Sequence, residues 1–404
     1  MAIGHRTPLP LNQLWIGASR LGMQHPGHSP ADPAPSRVPK KTRFDGIDFW
    51  RGTVLCTIFI NHVPGNLFES LTHKNFGFSD SAEAFVFLFG VSLALAYGPM
   101  FVKQPCDVVH SLAKRAVKLY AVHILVSIIG LTVFAVGAEI FENQDLMQEH
   151  GRDLFVEAPG AALVGLFSLG HQLGYFNILP MYVVMIGFVP AQLWLAHRSR
   201  VLMLVTSSLL YLVARLEHWN VPAWPIKGEW FFDPFTWQLL LAGGLVVGLR
   251  MRAAPLSAGP RLAATAAAVL AFGVVCATDG LSLWPGLHDA VRERADLDKT
   301  MLGAGRLVHF AALAYLIAWL RLPDILRGST LHRALCRLGR NGLWVFACLS
   351  VLSAGAQVLT RGLGHSLGLD LLAIGGGLTV LFASATLAES HLVRWRQTLG
   401  ARAS

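Results

Sequence analysis

The sequence predicts an all-α polytopic membrane protein, a bundle of about ten transmembrane helices, and three observations carry that prediction. Apolar residues make up 53% of the 404 residues and charged residues only 14%, where an ordinary soluble domain carries about 25% charged. The apolar residues collect in runs of roughly 17–25, the length that a ~30 Å hydrocarbon core requires. Basic residues recur in every second connection, which gives the whole chain one consistent direction. A mean hydropathy of +0.50 agrees. The net charge of +9 therefore reads as loops and tails facing anionic lipid, not as a nucleic-acid surface.

Taken in order, residues 1–43 are rich in Pro, His, Ser and basic residues and lack the apolar core of a signal peptide. They are expected to form a disordered basic cytoplasmic tail, ending in Arg37, Lys40, Lys41 and Arg43. Spans are then expected at 47–67, 80–100, 114–137, 175–196, 200–216, 234–250, 261–279, 301–321, 340–360 and 367–389. Lys103, Lys114, Arg115 and Lys118 follow the second span, Arg198 and Arg200 the fourth, and Arg250, Arg252 and Arg261 the sixth. Arg321, Arg327, Arg333, Arg337 and Arg340 follow the eighth, and a short tail over 393–404 adds Arg394, Arg396 and Arg402. By contrast 138–160 sets Glu139, Glu142, Asp145, Glu149, Asp153 and Glu157 against Arg152 alone. The alternation places both termini in the cytoplasm, around a membrane domain over 44–392.

Two of the non-cytoplasmic loops are more than connectors. Ala161–Leu169 is apolar but too short to span, and reads as re-entrant or interfacial. Residues 217–234 gather Trp219, Trp224, Trp230, Phe231 and Phe232. Two accounts stand for them, an aromatic belt at the membrane interface and a platform for stacking against a sugar. The five cysteines (Cys56, Cys106, Cys276, Cys336 and Cys348) show neither paired nor metal-ligand spacing, so no metal site is assigned. Inverted repeats of the kind found in many transporters are not visible; Pro180 and Pro190 are the hints of a broken helix in span four.

Ionisable residues at membrane depth are costly and mark functional candidates. Arg51 and His62 lie eleven residues apart in the first span, about 16 Å along a helix at ~1.5 Å per residue. Asp80 and Glu83 open the second span at a depth similar to that of His62, and a carboxylate beside an imidazole orients it for general-base work. Glu83, one turn deeper, is the expected partner; the competing account makes it the buried counter-ion of Arg306. Arg115 and Lys118 are three apart at the cytoplasmic mouth of span three, on one helix face or simply as positive-inside anchors. Arg306 and His309 lie inside span eight. Asn61, Asn66, Thr72, Asn75 and Ser79 add polar groups near His62. Cations at the inner mouth with a base deeper in fit an anionic cytoplasmic donor such as an acyl-CoA thioester, whose phosphates need Arg or Lys.

The run RFDGIDFWRGTVLCTIFINHVPGN, followed by LTHKNFGFSDSAEAFVFLFGVSLALAYG, resembles the opening of the OpgC family, glucans biosynthesis protein C, membrane acyltransferases similar to acyltransferase family 3. FNILPMYVVMIGFVP, FDPFTWQLLLAGG, GRLVHFAALAYLIAW and LGRNGLWVFACLS extend the resemblance over about Arg43 to Glu389. That resemblance matches Arg51 and His62 to a basic residue, ten residues and a His in the first span. It matches Arg115 to an Arg-x-x-Arg motif whose second member is here Lys118, a cation without the planar fork. It implies O-acylation, succinylation or a related transfer from acyl-CoA (succinyl-CoA), of an osmoregulated periplasmic glucan at a bacterial inner membrane, with glucan-synthesis proteins as further partners. On this reading His62 is the base, Glu83 or Asp80 orients it, Arg51, Arg115 and Lys118 hold the donor, and Arg306 or His309 stabilises developing charge. The alternatives are a transporter or flippase for an anionic or glycan substrate, and a non-catalytic scaffold that would leave the buried charges unexplained.

Overall fold

The computed structural model describes residues 44–253, 259–278 and 285–402, and over these the chain is built from helices. The expected disordered tail over 1–43 lies outside the described residues. Helix α1 (Asp45–Asn61) is shorter than the 47–67 span expected for it. Pro64 and Gly65, the latter at φ +85°, turn the chain into two 3₁₀ turns at Leu67–Leu71 and His73–Asn75. Helix α2 (Ser81–Lys103) then starts on Asp80, whose side chain accepts from the Ala82 N–H while Glu83 reaches back to the Asp80 N–H, a reciprocal capping box. Helix α3 (Pro105–Ile140) begins with a proline at its first turn, where the missing N–H costs nothing.

After α3 the chain forms short turns and then α4 (Pro159–Phe167), which is the apolar piece too short to span. Helices α5 (Ile178–Arg198), α6 (Arg200–Leu216), α7 (Pro234–Ala253), α8 (Pro260–Ala277) and α9 (Ala304–Leu320) follow. Helix α5 runs on through Pro190, so that residue does not break it. Between Leu320 and the next span the sequence reading expected a basic loop. Instead α10 (Thr330–Arg340) lies there, capped by the Ser329 side chain, with Leu335, Cys336 and Leu338 buried. Its Arg337 and Arg340 both pair with Glu389. Helix α11 (Gly342–Leu363) precedes a π-helical turn at Leu371–Gly376 and α12 (Gly377–Arg402), which continues through the residues expected as a tail.

Seven helices among the described residues are long and apolar enough to cross a membrane: α2, α3, α5, α8, α9 with its extension to Ile325, α11, and Leu367–Ser390. This is a multi-pass membrane protein. The other three expected spans are helices too, but α1 and α6 have 17 residues each. Helix α7 mixes Gln238, three glycines and two terminal arginines into its apolar run. Close helix packing rests on glycine. A Cβ on Gly244 of α7 would enter the Phe87 carbonyl of α2, and one on Gly90 of α2 would enter the Leu241 carbonyl of α7. Gly52 of α1 and Gly339 of α10 do the same for their pair. Small residues let backbones approach where lipid supplies no hydrophobic drive. Helix α3 packs on α5 and α11, and α8 on α9.

Candidate functional site

A cavity of about 560 Å³ opens at the end of the bundle where α1 finishes and α2 begins. Ile58, Asn61 and His62 come from α1 and its cap, Asp80 and Ser81 from the start of α2, and Phe346 from α11. Tyr175 comes from the segment before α5, and Lys299 from the loop before α9. A hairpin closed by an antiparallel bridge between Pro222 and Glu229 contributes Trp230, Phe231 and Phe232. Of the aromatic cluster read from the sequence, these three reach the cavity, whereas Trp219 and Trp224 are exposed outside it.

His62 is the C-cap of α1; its carbonyl accepts from Gln357 Nε2 at 2.6 Å, which fixes the backbone there. The imidazole lies 4.6 Å from the Tyr175 ring at 35°, and its Nδ1 is buried without a hydrogen-bond partner. Arg51, Ile58 and His62 are spaced seven and four apart, so they share one face of α1. The expected carboxylate partner is corrected. Glu83 accepts from Arg306 Nε at 2.7 Å and from the Asp80 N–H at 2.9 Å, and it is wholly buried away from the cavity. Its place at N3 of α2 folds the side chain back over the helix start, where Arg306 of α9 reaches it. Asp80 is the carboxylate that shares the cavity with His62, and it lies 2.5 Å from Lys299 and 3.4 Å from Arg306. Lys299 is held in turn, because its carbonyl and that of Thr300 accept from the buried Trp237 indole.

His309 does not join this group. Its Nδ1 lies 2.8 Å from Ser79 Oγ, both are buried, and Gly77 and Gly273 leave no room beside the ring. Asn66 and Thr72 are spent on structure as well: Asn66 caps a 3₁₀ turn, and Thr72 donates to Asn61 Oδ1 at 2.7 Å. Arg115 and Lys118 part company. The Arg115 guanidinium stands 5.2 Å over the Phe89 ring with Nε buried and unpartnered, whereas Lys118 is exposed.

Sequence reading missed three groups. Tyr182 lies one turn beyond the cavity-lining Ile178 on the same face of α5, stacked 4.2 Å from Phe89 and 5.5 Å from Phe85. Its hydroxyl is buried without a partner, within electrostatic range of Arg51 and Arg115. Phe346 lines the cavity and stacks on Phe85 at 5.7 Å, so an aromatic floor separates the cavity from the two arginines. A buried tyrosine hydroxyl is invisible to a search for formal charges. Lys299 and His150 lie in connections, outside the spans where ionisable residues were sought. Partial burial and the neighbouring Arg152 lower the His150 pKa, while Arg152 itself is brought down to about 10 by burial and Arg361.

The arrangement offers an imidazole with a free ring nitrogen, an ion-paired carboxylate and an aromatic wall around one chamber of about 560 Å³, with arginines beneath its floor. The sequence model of the family described as OpgC protein matches residues 43–392. No curated protein and no solved structure matches the chain.

Proposed function

The chain belongs to the OpgC family, and from that premise we propose that it is a membrane O-acyltransferase that esterifies a glucan hydroxyl. The observation that carries this reading is the cavity of about 560 Å³ holding His62, Asp80 and the aromatic hairpin together. Sugar rings stack on aromatic faces, and Trp230, Phe231 and Phe232 supply them beside the imidazole. His62 takes the proton of the acceptor hydroxyl as its oxygen attacks the thioester carbonyl of an acyl-CoA. The C–S bond breaks, the acyl group passes to the sugar oxygen, and the thiolate leaves with the proton that His62 returns. Asp80, fixed by Lys299 and Arg306, stabilises the transient imidazolium. Arg306 thereby acts through Asp80, and Glu83 holds Arg306.

Arg51 and Arg115 hold the donor on the far side of the aromatic floor. With the basic connections facing the cytoplasm, the donor enters from the cytoplasm and the glucan from the periplasm of an inner membrane. The acyl group on this reading is succinyl. Mass spectrometry of envelope glucans with the wild-type chain and with His62→Ala tests the proposal. A glucan mass increment present with the first and absent with the second supports it; full acylation with the variant overturns it. Purified protein that moves a glycan or an anion across vesicles without consuming acyl-CoA would make the chain a transporter, for which the π-helical turn at Leu371–Gly376 within the last span is the favouring observation.

A further inference from the structure

The cavity has a second imidazole, and its backbone is held in an unfavourable conformation. His150 sits at φ +57° and ψ 24°, the left-handed region that an L residue adopts uncommonly. Such conformations persist where surrounding structure over-determines them, and they cluster at sites. Three contacts over-determine this one. Glu149 pairs with Arg361 of α11 at 2.6 Å, tying the turn to the bundle. Arg152, which also reaches Glu149 at 3.5 Å, is fully buried with its guanidinium 3.8 Å over the Phe134 ring of α3. On Gly151, at φ +69°, a Cβ would meet Ile226 of the aromatic hairpin, so that hairpin presses on the turn. Glycine at 150 would hold the same backbone without strain; what histidine brings is the ring.

That ring stands at the cavity rim, 6.3 Å from Tyr175 at 68°, while His62 lies 4.6 Å from the same ring. Gly174, also at positive φ, leaves the space in which the His150 ring sits. The His150 pKa lies below its ordinary value, lowered by burial and by Arg152. A neutral imidazole offers one N–H donor and one acceptor, which suits a hydroxyl better than an anion.

We propose that His150 is an acceptor-positioning residue: across Tyr175 from the base His62, it hydrogen-bonds a sugar hydroxyl next to the one acylated and so selects which hydroxyl reacts. This rests on the reading of the cavity as the acceptor site. The test uses the full-length wild-type protein and two variants, His150→Asn, which tolerates the left-handed backbone, and His150→Gly, which relieves it. Steady-state kinetics with a glucose oligomer as acceptor should show the acceptor KM raised about tenfold in both, as loss of one well-made hydrogen bond implies. Both kcat and the donor KM should stay within about twofold, and the set of acylated hydroxyls should broaden. A fall in kcat at unchanged acceptor KM would make His150 part of the proton transfer, and unchanged kinetics would make it structural; either overturns the proposal. Calorimetric binding of the same glucose oligomer separates the two readings. If the wild-type chain binds the oligomer but consumes no acyl thioester, the transferase reading fails, and the loss of that binding in His150→Asn still decides for or against His150.

Discussion

The two walls of the cavity are built from the same kinds of residue, but their charges are paired differently. On the α2–α9 wall, Asp80, Glu83, Lys299 and Arg306 form one ion-paired network, and Ser79 holds His309. On the α1 wall and beneath the floor, His62 Nδ1, Arg115 Nε and the Tyr182 hydroxyl are buried without hydrogen-bond partners. Burying an unpaired polar group costs about 1–3 kcal/mol, more for a charge. The charges of the first wall are thus spent on one another, although Ser81 Oγ, Arg306 Nη2 and His309 Nε2 also lack hydrogen-bond partners there; among the described residues neither His62 nor Arg115 is ion-paired. Ionisability alone marked both walls; ion pairing separates them.

Mutation separates the two walls, and the largest effect belongs to the α1 side. His62→Ala should lower kcat by about 10²–10⁴-fold, the usual worth of a positioned general base, while the detergent-solubilised protein unfolds at an unchanged temperature. Loss of fold along with activity would move His62 to the scaffold. Arg306→Ala should act on stability as well as on turnover. It leaves Glu83 buried without its counter-ion and should destabilise by about 3–5 kcal/mol, read as thermal unfolding. The double variant Glu83→Leu with Arg306→Leu should recover most of that stability, because an apolar pair of similar volume replaces a buried ion pair at little cost. Recovery of stability without activity is the outcome expected if Arg306 acts through Asp80; recovery of both would leave it scaffold alone.

Tyr182→Phe is a smaller and sharper probe. Removing an unpartnered hydroxyl should leave stability equal or raise it by about 1 kcal/mol. A clear destabilisation would show that the hydroxyl has a partner in the resting protein. Turnover that falls while stability holds would place the hydroxyl against substrate. The smallest effect is expected at Lys118, which is exposed. Lys118→Ala should change turnover by no more than about twofold, whereas Arg115→Ala, on the buried side of the same helix, should raise the donor KM; equal effects would restore the two as a pair.

Much of the fold was legible because helix lengths and charge runs are local. Each of the ten apolar runs falls on a helix, yet the end of α1 was placed six residues late, since Pro64 and Gly65 were counted as part of an apolar run. Helix α10 was missed because its arginines looked like loop charges, while its Leu335 and Leu338 face the core. At the site, the sequence brought His62 and Asp80 forward together with Glu83. It chose the deeper carboxylate on the ground that an unpaired one there would be costly, and the structure meets that cost with Arg306. His150 and Tyr182 gave no sequence signal, one for lying in a connection and the other for being uncharged at neutral pH.

The membrane class, the order of the helices and the presence of ionisable groups at depth are written in the chain locally. These follow from desolvation, which acts on each stretch of chain wherever its neighbours are. Which of those groups are paired depends on the packing of distant helices. Glu83 meets Arg306 across 223 residues and Lys299 meets Asp80 across 219, distances over which no local pattern carries information. Glycine-tight packing of α2 on α7, and the anchoring of the 299–300 backbone to Trp237 of α7, bring the partners together and leave His62 open to the cavity.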